Sequence, residues 1–278
     1  MRKVSIVLII IFMSSLIFAS NTIAVSVIPQ ETFVNKVGGD YVEVITMIPP
    51  GYSPANYAPT PKQLMDFSEA KIYFTIGVPS ENSYILPRVD SFNKDIKIVS
   101  LQNEVEEIYP ARYFSQESRD PHIWLSPKRV ILMIDIIKRE LSALEPEHSE
   151  YYEKNAEKYI DELEELDIWI KNITDKITNR TFIVYHPSFG YFADDYNLEM
   201  LSLEKDGKEA TPKTLQEMVD TAKEEGIKVI FYQAEIDSKQ TISFAEEIGG
   251  KSLMVNPLSE DYIQNLKRMA ETFSKELK

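Results

Sequence analysis

The feature that most constrains the fold is a helical pattern in the middle of the chain. Its apolar residues recur at alternating steps of four and three with charged residues between them: Tyr152, Ala156, Tyr159, Leu163, Leu166, Ile170, Ile173 and Ile177. A helix of about 26 residues spans about 39 Å, which exceeds the width of a small α/β unit. The chain holds no second heptad run with which it could form a coiled coil. The pattern therefore predicts one long helix that packs along two lobes.

On both sides of this helix, segments rich in Val and Ile alternate with helical patterns, which is typical of βαβ units and a mostly parallel sheet. The predicted strands are 23–28, 41–48, 71–76, 96–101, 181–185, 200–203, 228–232 and 252–255. A Thr-Pro-Lys sequence caps a helix in each half, at Thr60 and at Thr211, which fits two similar lobes. We expect an α/β fold of two lobes, each a mostly parallel four-stranded sheet flanked by helices. One long rigid helix joins the lobes, and the ligand site lies in the cleft between them.

The first 20 residues are typical of a secretory signal peptide, with Arg2 and Lys3 before an apolar run and small residues at its end. Removing them takes the formal net charge from −14 to −16, and a chain this acidic binds nucleic acid poorly. The absence of cysteine excludes disulfides and a lipid anchor on a cysteine after the signal. We expect a secreted or periplasmic monomer that is soluble after cleavage. The expected divisions are a signal peptide at 1–20, an N-terminal lobe at 21–146, the long helix at 147–178 and a C-terminal lobe at 179–278.

Polar residues just after the strands are the candidates for ligand binding, because open parallel sheets bind ligands outside the carboxyl ends of their strands. They are the loop 49–59, Glu81, His122, His186, Glu235 and Asn256. His122 and His186 each lie beside a proline that stiffens the loop, and Ser126-Pro127 predicts the start of a helix. Two imidazoles with one or two oxygen ligands suit zinc, and additional oxygens suit manganese. We therefore predict a metal site formed by His122, His186, Asn256 and Glu235.

The sequence motifs of the common hydrolases and nucleotide-binding enzymes are absent. These are His-Glu-x-x-His, Gly-x-Ser-x-Gly, the phosphate-binding loop and Gly-x-Gly-x-x-Gly. Asp120 and His122 resemble an acid/base pair, but Pro121 separates them and we find no nucleophile. We therefore predict that the protein is not an enzyme. The third histidine, His148, is interpreted as solvated, and the aromatic residues Trp124, Phe189, Tyr191 and Phe192 as core or cleft wall.

Two segments carry a resemblance to a known family. Residues 120–127 read Asp-Pro-His-Ile-Trp-Leu-Ser-Pro, and residues 186–192 read His-Pro-Ser-Phe-Gly-Tyr-Phe. With Pro50-Gly51 and Asn256-Pro257-Leu258, they make the chain similar to the zinc/manganese-type solute-binding proteins of ABC transporters, the TroA-like or cluster A-I group. The resemblance covers nearly the whole mature chain. It implies two α/β lobes on a rigid helix, zinc or manganese as the transported ligand, and a membrane permease as partner.

The resemblance also implies four metal ligands, of which this chain matches His122 and His186. Ala55 stands where a histidine is usual, and Asn256 where an aspartate is usual. Ala58 replaces a common glutamate, and the His-rich loop found in many zinc-specific members is missing. Asn56 and Asn256 offer amide oxygens, and Glu235 offers a carboxylate.

Three functions therefore remain open. The first is capture of zinc or manganese for delivery to an ABC permease. The second is the same scaffold with a degenerate site that binds a metal chelate or another solute. The third is a surface interaction or adhesion protein. The rigid helix permits only small closure of the lobes, so the resemblance implies that metal release needs the permease.

Overall fold

Two four-stranded parallel sheets form the frame of the protein in the computed structural model, which describes residues 20–204, 207–235 and 239–277. The signal peptide predicted at residues 1–20 lies outside these ranges except for Ser20. The first sheet has the order β2-β1-β3-β4, with strands β1 (Asn21–Val25), β2 (Val42–Thr46), β3 (Ile72–Thr75) and β4 (Lys97–Ser100). The second has the order β10-β9-β7-β8, with strands β7 (Thr181–Val184), β8 (Glu199–Ser202), β9 (Val229–Gln233) and β10 (Lys251–Val255). A short antiparallel hairpin, β5 (Tyr113–Ser115) and β6 (Ser118–Arg119), lies between them in the chain.

The two sheets have the same topology. Each begins with an inner strand whose neighbours are the second and third strands of its lobe, and the fourth strand follows at the edge beyond the third. In each lobe a Thr-Pro cap begins the helix between the second and third strands. The hydroxyl of Thr60 accepts the amide of Gln63 at 3.3 Å, and that of Thr211 accepts the amide of Thr214 at 3.2 Å. The repeated cap in the sequence therefore marks equivalent helices of two similar lobes, and the predicted fold class is confirmed.

Ten α-helices are present in the described ranges. They are α1 (Ile28–Gly38), α2 (Pro61–Phe67), α3 (Val89–Phe92), α4 (Leu101–Glu106), α5 (Pro127–Leu144), α6 (Ser149–Thr174), α7 (Gly190–Asp195), α8 (Pro212–Glu224), α9 (Lys239–Glu247) and α10 (Tyr262–Glu276). Short 3₁₀ or π turns occur at Gly39–Tyr41, Glu81–Ile85, Leu86–Arg88, Ile123–Leu125 and Pro146–His148. No helix within the described residues is both long enough and apolar enough to cross a membrane.

The long helix α6 has 26 residues and packs against both lobes. Its neighbours are α1 and α5 on the N-terminal side and α10 on the C-terminal side. The predicted apolar stripe from Tyr152 to Ile170 is buried, and the cluster of buried side chains to which it belongs runs without a break from β1 to β7 and β9. Since burying a large apolar side chain stabilises the fold by about 1.5–3 kcal/mol, this stripe fixes the two lobes to one support.

The interpretation of His148 as solvated holds only in part, because the residue is half-buried. Its ring stacks on Tyr41, with the ring centroids 3.7 Å apart and the planes 21° from parallel, and Tyr151 and Tyr152 surround the pair. His148 ends the turn before α6, and Tyr41 ends the turn before β2. Their rings meet the aromatic side chains at the start of α6. The histidine therefore caps an aromatic cluster in the N-terminal lobe.

The position of Glu81 after β3 predicts a place in the cleft, but its side chain points into the N-terminal lobe. The side chain is 1% exposed and accepts the backbone amides of Ile76 and Gly77, both at 2.8 Å. The hydroxyl of Ser26, which follows β1, also donates to it. Burial raises the pKa of Glu81 to about 7, against the opposing effect of these three donors. The carboxyl group therefore links the ends of two strands instead of facing a ligand.

This buried carboxyl group predicts a pH-dependent stability. Its folded-state pKa of about 7 lies above the ordinary value of 4.5, so the folded protein holds the proton where the unfolded chain has lost it. The favourable contribution is present below pH 4.5 and is lost as the pH rises through 7. We expect the unfolding free energy of the metal-free protein to fall, relative to that of Glu81→Gln, by up to about 3 kcal/mol between pH 5 and pH 8. Urea denaturation at both pH values measures it, with circular dichroism at pH 5 as the control for folding. If the unfolding free energies of the unaltered protein and of Glu81→Gln change equally between pH 5 and pH 8, the prediction is wrong.

Candidate metal centre

His122 is held in the cleft by the turn that precedes α5. Pro121 fixes the backbone before it, Ile123–Leu125 form a 3₁₀ turn after it, and Ser126 caps α5 by accepting the amide of Arg129 at 3.3 Å. The fully buried carboxylate of Asp120 accepts both the backbone amide of His122, at 3.0 Å, and its Nδ1, at 2.7 Å. The expectation that Pro121 separates Asp120 from His122 is therefore wrong, because the turn at the proline folds the carboxylate back onto the imidazole.

His186 follows β7 in the C-terminal lobe and is held in a similar way. A tight turn closes behind it, where the amide of Ser188 donates to the carbonyl of His186 at 2.8 Å. Its Nδ1 lies 2.9 Å from Oε1 of Glu204, a side chain that is 12% exposed. Glu204 is not among the residues predicted from the sequence, although it follows β8 much as Glu235 follows β9. Position after a strand was the signal that would have identified it.

The two imidazoles meet in the cleft in an edge-to-face arrangement. Their ring centroids are 5.2 Å apart and their planes are inclined by 76°. In each ring Nδ1 is directed at a carboxylate, so Nδ1 carries the proton and Nε2 keeps a free lone pair. Burial lowers the pKa of His122, which favours the neutral ring. A ring bound to zinc through nitrogen has its centre about 3.2 Å from the ion, so two rings at a tetrahedral angle have centres about 5.2 Å apart.

A cavity of about 540 Å³ surrounds the two rings. Its walls come from both lobes, and the residues that matter for coordination are Ala55, His122, His186, Glu204 and Glu235. Oε2 of Glu235 is buried and finds no hydrogen-bond partner within the described part of the chain. Buried carboxylate oxygens are rarely left without a donor or a cation, so this atom is free to bind one.

The structure does not bring Asn256 to the two histidines. The residue is exposed, and its side-chain oxygen accepts the amide of Leu258 at 2.9 Å in a turn that ends β10. Its neighbours Pro257 and Leu258 line the cavity instead. Ala55 presents only a methyl group there. Among residues 20–204, 207–235 and 239–277, no three His, Asp or Glu side chains are grouped closely enough to share one ion.

Beneath His122, Trp124 joins the two lobes. Its indole Nε1 donates to the carbonyl of Pro257 at 2.8 Å, and its own carbonyl accepts the hydroxyl of Tyr262 at 2.7 Å. A second connection is the ion pair of Arg129 with Asp195, at 3.1 Å, which also receives the hydroxyl of Ser126. These bonds hold the turn that carries His122 against the C-terminal lobe, and Trp124, Phe189, Tyr191 and Phe192 are buried as core residues.

This fold and this pair of histidines agree with the comparisons with known proteins. Residues 23–276 match the family model described as "ZnuA: Zinc-uptake complex component A periplasmic". The chain belongs to this family. The resemblance proposed from the sequence is confirmed, and the family is described as a component of zinc uptake, not as a family of enzymes.

Individual relatives differ in the metal that their names record. The chain is 28% identical over 242 residues to the high-affinity zinc uptake system protein ZnuA of Bacillus subtilis, covering 83% of this chain and 76% of that protein. It is 24% identical over 253 residues to the manganese-binding lipoprotein MntA of Halalkalibacterium halodurans, covering 86% and 83%. A crystal structure of ZnuA matches with a TM-score of 0.88 and 34% identity, covering 93% of this chain and all of that one.

The hydrogen bond of Trp124 to Pro257 predicts that replacing Trp124 lowers the stability of the folded protein. Trp124→Phe removes the indole donor, leaves the carbonyl of Pro257 without that bond and opens space in a fully packed site. We expect a loss of about 2–3 kcal/mol in the free energy of unfolding. Trp169→Phe is the matched control, because Trp169 is the other of the two tryptophans and lies partly exposed on α6. Urea denaturation followed by far-UV circular dichroism compares them, and an equal cost for both contradicts the prediction.

Proposed function

We propose that this protein captures a divalent metal ion between its two lobes and delivers it to the membrane permease of an ABC transporter. The observation that carries the proposal is the edge-to-face pair of His122 and His186. They come from opposite lobes, each has Nδ1 directed at a carboxylate, and their 5.2 Å separation fits tetrahedral zinc. Membership of the zinc-uptake family supports the same conclusion.

Zinc is the ion that the donor atoms favour, and manganese is the second candidate. Two neutral imidazoles with a single carboxylate are typical of zinc sites, whereas manganese prefers more oxygen ligands. The names of the relatives include both metals. These names favour the capture of a metal ion over the other two functions that the sequence leaves open, which are binding of a metal chelate or other solute and surface adhesion.

The protein ligands in this proposal are His122 and His186, with Glu235 as a third that moves onto the ion when it binds, because no three such side chains of the described residues are grouped closely enough beforehand; water completes the coordination. Glu235 supplies the buried oxygen that lacks a partner in the described structure. Glu204 and Asp120 accept Nδ1 of the two rings from behind, which fixes the tautomer and the orientation of each ring. Asn256 becomes a fourth ligand only if its side-chain oxygen leaves the amide of Leu258.

The proposed setting is extracytoplasmic. Export by the signal at residues 1–20 places a monomer outside the cytoplasm, with the permease as its partner and the metal as its cargo. The proposed divisions are the N-terminal lobe at 21–146, the connecting helix at 147–178 and the C-terminal lobe at 179–278. Two sheets of equal topology on either side of α6 support them.

The first test is zinc binding to metal-stripped protein by isothermal titration calorimetry. We expect one zinc ion per chain, and a loss of affinity of more than about a hundredfold in the double variant His122→Ala, His186→Ala, because removing a direct ligand costs more than removing an outer-shell partner. His148→Ala is the matched control, since this ring stacks on Tyr41 in the N-terminal lobe. If neither zinc nor manganese binds the unaltered protein, the proposed function is wrong.

A second test identifies the oxygen ligand. Glu235→Gln removes the free carboxylate oxygen from the cavity, and we expect zinc affinity to fall by about ten- to a hundredfold. Asn256→Ala removes an oxygen that is already hydrogen-bonded outside the cavity, so we expect little change. The same calorimetry compares the two variants, and the opposite order of effects would assign the oxygen ligand to Asn256.

A further inference from the structure

A chain of charged groups connects His122 to the C-terminal lobe. Asp120 uses Oδ1 for both bonds to His122, and its Oδ2 is buried without a hydrogen-bond partner among the described residues. The cation that faces Oδ2 is Arg112, whose Nε lies 3.6 Å away. The guanidinium of Arg112 continues across the cleft, where NH1 donates to both carboxylate oxygens of Asp194 on α7 at 2.8 Å. The order of contacts is His122, Asp120, Arg112 and Asp194.

The first residue of α7, Gly190, leaves space for the ion pair of Arg112 and Asp120. A Cβ atom on Gly190 would lie 2.2 Å from Nε of Arg112 and 2.8 Å from Oδ2 of Asp120. Both distances are shorter than the van der Waals contact of a carbon atom with nitrogen or oxygen, so a larger residue at position 190 would displace the side chain of Arg112 from Asp120. Gly190 follows His186 by four residues. The ion pair behind one histidine therefore packs against the segment that carries the other.

Tyr191 reinforces the same contact from the C-terminal lobe. Its hydroxyl donates to the carbonyl of Asp120 at 3.0 Å and accepts the backbone amide of Arg112 at 2.9 Å. The backbones on both sides of the ion pair are thus tied to α7. Since a buried carboxylate depends on its cation and on complete hydrogen bonding, the position of Asp120 depends on the contact between α7 and Arg112.

We propose that Arg112 is a positioning residue that makes the orientation of His122, and hence metal affinity, depend on the contact between the lobes. The inference rests on the proposed function. With the lobes in contact, Asp194 fixes Arg112, Arg112 fixes Asp120, and Asp120 directs Nε2 of His122 at the ion. When α7 moves away, Arg112 loses Asp194, the carboxylate of Asp120 loses its fixed cation, and the ring is released. The device converts a small separation of the lobes into faster metal release.

The test measures zinc dissociation from the loaded full-length protein after addition of a chelator, with the absorption spectrum of the cobalt-substituted protein as a report on ligand geometry. We expect Arg112→Gln and Gly190→Ala to accelerate dissociation by about tenfold and to change the cobalt spectrum, as loss of an outer-shell partner does. Asp194→Asn changes a half-exposed residue and has a smaller effect in the same direction. Arg112→Lys rescues only in part, because an ammonium group cannot bridge two carboxylates as a guanidinium does.

The control is Arg139→Gln, which breaks the bond of Arg139 NH2 to both oxygens of Glu104 on the surface of the N-terminal lobe. It removes the same charge away from the cleft, together with the bonds of Arg139 to Glu104 and to the buried Glu140. We expect unchanged dissociation. An effect equal to that of Arg112→Gln overturns the proposal, because it would show that net charge alone changes the rate.

A double-mutant cycle separates positioning from general stabilisation. If Arg112 acts through Asp120, Arg112→Gln has no further effect on dissociation in an Asp120→Asn background, whereas independent contributions add. Additive effects, or an unchanged dissociation rate and cobalt spectrum in both Gly190→Ala and Asp194→Asn, overturn the proposal while zinc binding itself persists. If the unaltered protein binds no metal, the proposed function fails and this inference falls with it. A cooperative thermal unfolding transition shows that each variant is folded. If Arg112→Gln does not fold, the dissociation rate of Asp194→Asn is compared with that of the unaltered protein instead.

Discussion

The burial of one face of α6 is the constraint on which the rest of the structure depends. The stripe from Tyr152 to Ile170 packs on α1 and α5 of one lobe and α10 of the other, in a single buried cluster. Because protein interiors are close-packed, a change in the distance between the lobes would open voids along this stripe. The separation of His122 and His186 is therefore set by apolar packing at a distance from the cleft, and the site needs few ligands of its own to hold its shape.

Hydrogen bonds to the two histidines determine which ring nitrogen can bind a cation. Asp120 and Glu204 each occupy Nδ1 of one ring, which fixes the tautomer and directs Nε2 into the cavity. Burial keeps the ring of His122 neutral and so available to a cation. These two carboxylates do not bind the ion themselves, but they determine which nitrogen of each ring is free to bind it.

Patterns that depend on neighbouring residues were predictable from the sequence. The apolar period of α6, the βαβ alternation, the two Thr-Pro caps and the histidines after strand ends are local signals, and the structure has each of them within a few residues. Contacts set by backbone dihedral angles were not predictable. The turn at Pro121 brings Asp120 back to His122, the turn after β10 takes the oxygen of Asn256, and Glu81 points into the lobe because two amides need an acceptor. Glu204 follows the end of β8 and is therefore a residue that its position in the sequence could have identified.

The reduced ligand set has a physical consequence for a carrier. A protein that holds zinc with four strong donors binds it tightly and releases it slowly, and a rigid α6 allows only small movements to weaken such a site. Here Ala55 offers no donor, and the side-chain oxygen of Asn256 accepts the amide of Leu258. The ligand set proposed above, His122, His186 and Glu235, would therefore leave coordination positions to water. Fewer protein ligands mean that displacing one ring loses a larger share of the binding free energy. Under the proposed role of Arg112, a small movement of α7 would then be sufficient for release, as the buried packing of both lobes on α6 requires.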